Sequence, residues 1–332
     1  MKRTRTTRCR QTLRTRPDGR SRSATLAGPS LATKGDEVEE WVDLRFFRPI
    51  GVRIARSLAG TGVTADQVTL LSLIIGLAAG HLFVYTSPWL NAAGFVLFII
   101  SDIFDSADGQ LARLRGTSTR FGRALDGTSD AARFINLGVH LLVRLVIAQQ
   151  WSWLAATSLV VAAAISHSIQ SATIDFIRHA FLALAVGRGS ELDFEGAEDL
   201  RGASFVRRVA VRFYLQYSRR QLAMFPRTGA LLRVARDHPL GPAGASAYRA
   251  ETLSLVRQCA WLGQNFRFLV LGVTAVAGWP AGLLWITVLP MNAVLIWLRR
   301  GQERGAERVQ RVAMSVSRPA PVVAPARAIG GE

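Results

Sequence analysis

Between Ser101 and Asp130 the chain reads SDIFDSADGQLARLRGTSTRFGRALDGTSD, with its carboxylates at helical spacing. Asp105 and Asp108 are three residues apart and Ala112 follows four later, so all three share one helix face. Gly122, Asp126 and Asp130 recur every fourth residue on a second face. Gly116, Thr117 and Ser118 suit a tight connection, which joins the two faces antiparallel and lets them meet. Both helices are otherwise apolar, and ionised groups at membrane depth are costly enough to be functional by default. Four converging carboxylates repel one another, a conflict that hard divalent ions taking oxygen ligands resolve, so Mg2+ or Mn2+ is the expected occupant. Two such ions about 4 Å apart clamp a diphosphate, stabilise a leaving phosphate and assist an attacking oxygen. Gly109 and Ala112, with absent or minimal side chains, leave clearance for a nucleotide against the helix. Arg115, Arg120 and Arg123 read as the basic residues that routinely flank membrane spans.

The elements that hold these faces are apolar blocks: 68–85, 89–100, 134–148, 153–165, 268–277 and 281–298. A spanning helix needs about 20 residues, and with flanking helical residues added the blocks give six spans. The turns at Ser87-Pro88, Gln149 to Trp151 and Gly278 to Pro280 carry no Lys or Arg, whereas the opposite ends carry Arg113, Arg115, Arg120, Arg123, Arg178, Arg188, Arg299 and Arg300. The positive-inside rule then places the aspartates and both termini on the cytosolic side of the inner membrane. The expected fold is an all-α integral membrane protein of six transmembrane helices with a cytosolic interfacial amphipathic helix.

Six regions follow along the chain. Residues 1–35 form a basic disordered tail and 36–63 the interfacial helix, whose Trp41, Leu44, Phe47, Ile50 and Ile54 fall at amphipathic spacing. Residues 64–186 hold spans one to four, opened by the helix-start signal Thr64 to Gln67 and containing the catalytic stretch 105–130. Residues 187–250 are a cytosolic insert, acidic first and then basic, with Val206, Val209, Phe213, Tyr217 and Leu222 as a helical stripe. A surface helix and a small hairpin packed beneath the bundle both fit that stripe. Residues 251–300 hold spans five and six, and 301–332 form a second disordered tail.

The net charge of +18 is almost all arginine, since Lys2 and Lys34 are the only lysines. That charge fits attraction to anionic membrane lipids, and no specific nucleic acid is expected. A polar stretch follows the basic start, so no cleavable leader is expected. Cys9 and Cys259 are too few and too separated for a thiolate metal site, and His167, on a span, reads as a packed residue.

Asp105, Asp108, Gly109, Ala112, Arg113, Gly122, Asp126 and Asp130 fill every defined position of D-x-x-D-G-x-x-A-R, a gap of eight, and G-x-x-x-D-x-x-x-D. This resembles the signature of the CDP-alcohol phosphotransferase family, also called CDP-alcohol phosphatidyltransferases. Thr64 to Thr69 is similar to that family's T-P-N-x-x-T element, with Ala65 and Asp66 in place of Pro and Asn. The resemblance implies metal-dependent transfer of a phosphatidyl or other phosphoalcohol group from a CDP-activated donor, CDP-diacylglycerol foremost, to a hydroxyl acceptor, with release of CMP, in phospholipid biosynthesis. It implies two divalent ions, Mg2+ or Mn2+, with Asp105, Asp108 and Asp126 as ligands. Asp130 is implied as general base that also touches a metal. Gly109, Ala112, Arg113 and Gly122 are implied at the CDP site, with Gly122 permitting close helix packing. Asp102, outside the signature, stands one turn before Asp105.

Arg133 shares the face of Asp130, and Arg267 and Arg178 add positive charge. With Arg133 and Arg267 as acceptor-binding residues, a polyol phosphate such as inositol phosphate or glycerol phosphate is the expected acceptor. Arg144 and Arg178 also read as residues reaching to the interfaces. A polytopic prenyltransferase using Mg-diphosphate is the main rival, but its two aspartate motifs sit on helices separated by other spans, whereas one short loop joins both here. A non-enzymatic scaffold for anionic lipids accounts for the charge and leaves the aspartates without a role. The sequence leaves the oligomeric state open, a homodimer included.

Overall fold

The computed structural model describes residues 37–187 and 205–316; the basic tail, the acidic start of the insert and the Pro-Ala-rich end lie outside them. A single π-helical turn, Asp43–Phe47, leads into α1 (Arg48–Ala59). Then come α2 (Ala65–His81), α3 (Pro88–Arg115), α4 (Arg120–Ile147) and α5 (Trp153–Leu184). The insert supplies α6 (Phe205–Met224), α7 (Pro226–Asp237) and the start of α8 (Pro242–Gln258). The chain closes with α9 (Gln264–Val276), α10 (Gly282–Val288) and α11 (Pro290–Val316). No strand occurs among the described residues.

The protein is thus all-α and built for a membrane. Five segments are long and apolar enough to cross one: Ala65–Val84, Pro88–Arg115, Trp153–Leu184, Pro242–Val276 and Gly282–Arg311. The third expected span lies on α4, which is a helix of 28 residues but is not among the five. Asp126, Asp130, Arg133 and Arg144 interrupt its apolar run.

Local signals explain where the helices begin. Thr64 caps α2 in a full capping box: its side chain accepts from the Gln67 amide while the Gln67 side chain accepts from the Thr64 amide. Pro88 opens α3 at a position whose N–H would have no partner. Arg115, at the end of α3, donates to the carbonyls of Leu58, Thr61 and Val63 and so clamps the loop between α1 and α2. α1 lies on α3, where Gly51 comes against Ser106 and Ala107, too close for a β-carbon.

Among the described residues three apolar clusters result: a small one of Ala55, Val68, Ala107 and Leu111 between α1, α2 and α3, and two larger cores. One fills the bundle with Phe83, Phe98, Leu141, Leu145, Leu271 and Leu284. The other gathers around the end of α5, where Phe176 and Phe225 stack at 4.5 Å and Tyr248, Leu262 and Leu298 are buried. The second core makes the basic part of the insert a packed helical cap. Tyr217 on α6 donates to Asp175 on α5 at 2.7 Å, and Gln221 to the Ala172 carbonyl at 3.0 Å. The expected tail from 301 also differs: α11 runs on to Val316 because Gln302, Ala306 and Val309 are buried on one face. Glu303 accepts from the amides of Arg227 and Thr228 at 2.9 and 3.0 Å and so caps α7.

Candidate active site

The turn between α3 and α4 fixes how the two carboxylate faces meet. Gly116 ends α3 in the left-handed conformation at φ 65°, and the amides of Gly116 and Thr117 return to the carbonyls of Arg113 and Ala112. Thr119 then caps α4 by accepting from the Gly122 amide at 2.9 Å. Within this antiparallel pair, Asp105, Asp108 and Asp126 offer ligand oxygens within 4.8 Å of one another, a donor set suited to a hard divalent ion. Thr69 on α2 donates to Asp108 at 2.5 Å, and Asp108 is buried.

A cavity of about 580 Å³ opens over the cluster. All eight signature residues line it. A β-carbon at Gly109 would meet only the flexible end of Arg113, at 3.4 Å, so the wall there is open to a ligand. Gly122 is a different case from the close helix contact expected of it: a β-carbon there would meet its own cap Thr119 at 3.3 Å and Asp66 at 3.8 Å. Its place is on the cavity wall.

Asp130 is outside that 4.8 Å group but adjoins it, since it and Asp105 accept from the same nitrogen of Arg133. Its carboxylate pairs with Arg133 one turn on, and its side chain is 54% exposed against 25% for Asp105. Arg133 itself is buried and also pairs with Asp105 at 2.9 Å and Asp102 at 3.3 Å. It is not on the cavity wall, and neither is Arg267. Arg267 is buried among α5, α9 and α11, donating to Gln170 and to the Leu262 carbonyl, both at 2.9 Å. Arg144, expected to reach an interface, is buried and donates to the carbonyls of Phe83 and Tyr85. Arg178 pairs with Glu40 at 3.1 Å, and His167 stacks on Phe134 at 3.7 Å.

Several residues of the site do not read as site residues in the sequence. Phe47, Arg48, His179, Leu182 and Gln264 complete the cavity wall from the π-helical turn, α1, α5 and α9. Their distance along the chain hides them, and the T-x-x-x-x-T likeness was the one signal pointing to Thr69. Glu40 anchors this second wall: it pairs with Arg178, accepts from Asn265 at 2.8 Å and lies against Gly263, leaving no room for a β-carbon there. Burial pushes its carboxyl above the usual carboxylate range, against the opposing pull of Arg178. Burial and the neighbouring Asp175 push the Tyr217 phenol far up, so it stays a neutral donor.

The structure is an all-α membrane bundle with a carboxylate triad lining a cavity, and the sequence comparisons name a family for it. Residues 62–186 match the sequence model of the CDP-alcohol phosphatidyltransferase family, and the chain carries that family's domain over this stretch. The chain is 35% identical over 96 residues to an archaetidylinositol phosphate synthase of Pyrococcus horikoshii, covering 28% of this chain and 50% of the relative. It is 40% identical over 84 residues to a phosphatidylinositol phosphate synthase of Mycobacterium tuberculosis, covering 25% and 38%. A CDP-diacylglycerol–serine O-phosphatidyltransferase of Methanocaldococcus jannaschii is 41% identical over 78 residues, covering 24% and 34%. The chain thus spans half or less of the length of these relatives.

Proposed function

We propose that this protein is a phospholipid-synthesis transferase that moves a phosphatidyl group from a CDP-activated lipid, CDP-diacylglycerol, to a polyol phosphate, releasing CMP. The observation that carries the reading is the Asp105, Asp108 and Asp126 triad set beside the open wall at Gly109 and Ala112. The acceptor follows the names of the first two relatives described above, both inositol phosphate lipid synthases.

Asp105, Asp108 and Asp126 would hold two divalent ions, Mg2+ or Mn2+, with Asp130 at the edge. Such ions supply charge neutralisation for the diphosphate and for departing CMP. The chain's own groups do the rest. Gly109 and Ala112 admit the cytidine against α3, and Arg113 lies beside it as a cation for phosphate. Asp130, the most exposed carboxylate of the set, takes the proton of the acceptor hydroxyl as that oxygen attacks phosphorus in line with the leaving CMP. Arg133 and Arg267 are off the cavity wall; among the described residues Arg48 and Arg113 line it, and this supports them as the cations for an acceptor phosphate.

The test is CMP release from CDP-diacylglycerol by the purified protein in lipid, with inositol phosphate, glycerol phosphate, inositol and serine as separate acceptors. Release that requires both Mg2+ or Mn2+ and a phosphorylated acceptor is the expected result. Full turnover in excess chelator sinks the metal reading, and turnover with serine or inositol alone sinks the acceptor.

A further inference from the structure

Arg133 occupies a niche made for a guanidinium. It is 4% exposed, although it sits on a helix whose next turn back, at Asp130, faces solvent. Its Nη1 donates to Ser101 at 2.8 Å, to Asp102 at 3.3 Å and to Ser72 at 3.4 Å, while Nη2 donates to Asp105 at 2.9 Å and to Asp130. The groove that admits its stem is Gly76 on α2, where a β-carbon would overlap both Cγ and Cδ of Arg133. Three helices therefore build the niche: α2 through Ser72 and Gly76, α3 through Ser101, Asp102 and Asp105, and α4 through Asp130.

The charges show what the niche is for. Five carboxylates, Asp102, Asp105, Asp108, Asp126 and Asp130, crowd the meeting of α3 and α4, and one buried guanidinium touches three of them. Removing one partner of a buried ion pair leaves the other charge uncompensated, which is strongly destabilising. Asp102 and Arg133 lie outside the family signature, so this pairing is an addition to the catalytic set.

We infer that Arg133 is a positioning residue, a fixed counter-cation of the aspartate cluster. It neutralises Asp102, holds one oxygen of Asp105 and one of Asp130 toward α2, and leaves the other oxygen of Asp105 with Asp108 and Asp126 for a divalent ion. The protein then keeps its cluster assembled without metal, and the metal adds charge balance beyond what Arg133 supplies. This inference rests on the metal reading of the triad.

The experiment is thermal unfolding of the full chain in detergent, in excess chelator and in saturating Mn2+. Arg133→Gln should unfold at a lower temperature than wild type in chelator, and Mn2+ should raise its midpoint at least about twice as far, because the ion then compensates charge the arginine no longer does. Arg133→Lys, which keeps the charge, should show a rise close to that of wild type. An equal or smaller rise in Arg133→Gln overturns the inference. No rise in wild type is a separate result, which removes the metal reading and this inference with it. Should Arg133→Gln fail to fold, Asp102→Asn carries the test: with one fewer carboxylate on the guanidinium, Arg133 balances more of Asp105 and Asp130, and the Mn2+ rise falls below wild type. An unchanged rise in Asp102→Asn overturns the assignment.

Discussion

The Thr69 hydroxyl on α2 lies 2.5 Å from Oδ2 of Asp108 on α3, tying a helix outside the aspartate motif to its most buried carboxylate. A hydrogen bond to a charged acceptor contributes about 1.5–3 kcal/mol. Thr69→Val keeps the shape and removes the donor, so Mn2+ affinity should fall by about tenfold or more, while Thr69→Ser should retain most of it. Calorimetric Mn2+ titration of the three proteins checks this, and equal affinities would free Asp108 from Thr69.

The carboxylates should separate by role. Asp130→Asn keeps its volume but loses basicity, so transfer should drop at least about a hundredfold, the usual scale for a lost general base, with metal-dependent donor binding largely kept. Asp105→Ala removes a triad member, and donor binding and transfer should fail together. Donor binding by calorimetry beside single-turnover CMP release distinguishes the two; near-wild-type turnover by Asp130→Asn would remove the base assignment.

Two glycines should respond in opposite ways. Gly109 faces the cavity with only Arg113 near, so Gly109→Leu should fold with stability within about 1 kcal/mol of wild type, helped by helix propensity. Its KM for the CDP donor should rise at least about tenfold, because the side chain fills nucleotide space. Gly76→Ala drives a methyl into the Arg133 stem and should lower the thermal midpoint. A normal donor KM in Gly109→Leu would move the nucleotide off this wall.

Glu40 predicts a pH dependence with a definite sign. Burial raises its carboxyl in the folded protein above the unfolded value. Its contribution is therefore full below the unfolded carboxylate pKa of about 4.3 and is lost as pH rises through the folded value. The midpoint of wild type should fall across the window just above the ordinary carboxylate range, and Glu40→Gln should flatten that fall. Midpoints measured from pH 4 upward, in roughly half-unit steps, decide it; parallel curves for the two proteins would exclude Glu40 as the titrating group.

Much of the site was legible because its signals are local. Asp105, Asp108, Asp126 and Asp130 sit at helical spacing on either side of a glycine turn, and the cap at Thr64 marks the start of α2. What spacing cannot report is depth. Arg133 shares a face with Asp130, yet it enters a groove between α2 and α3 that exists only because Gly76, a residue of an earlier helix, has no side chain. Arg267 is likewise directed by Gln170, which lies 97 residues away in sequence. The end of α11 was misjudged for another reason: its dense charge hides the buried spacing of Gln302, Ala306 and Val309, which matches a helix face and answers to Tyr248 on α8.

The cap at the start of α7 sets an order in time. The amide of Thr228 waits for Glu303, a residue made 75 positions later. A growing chain can bring α2, α3 and α4 together, and with them every aspartate of the motif, long before that carboxylate exists. The helical cap around Phe225 is complete only once Glu303 is made, so a chain stopped short of Glu303 would present an assembled cluster beside an unfinished cap, exposed to proteases and to other unfinished chains.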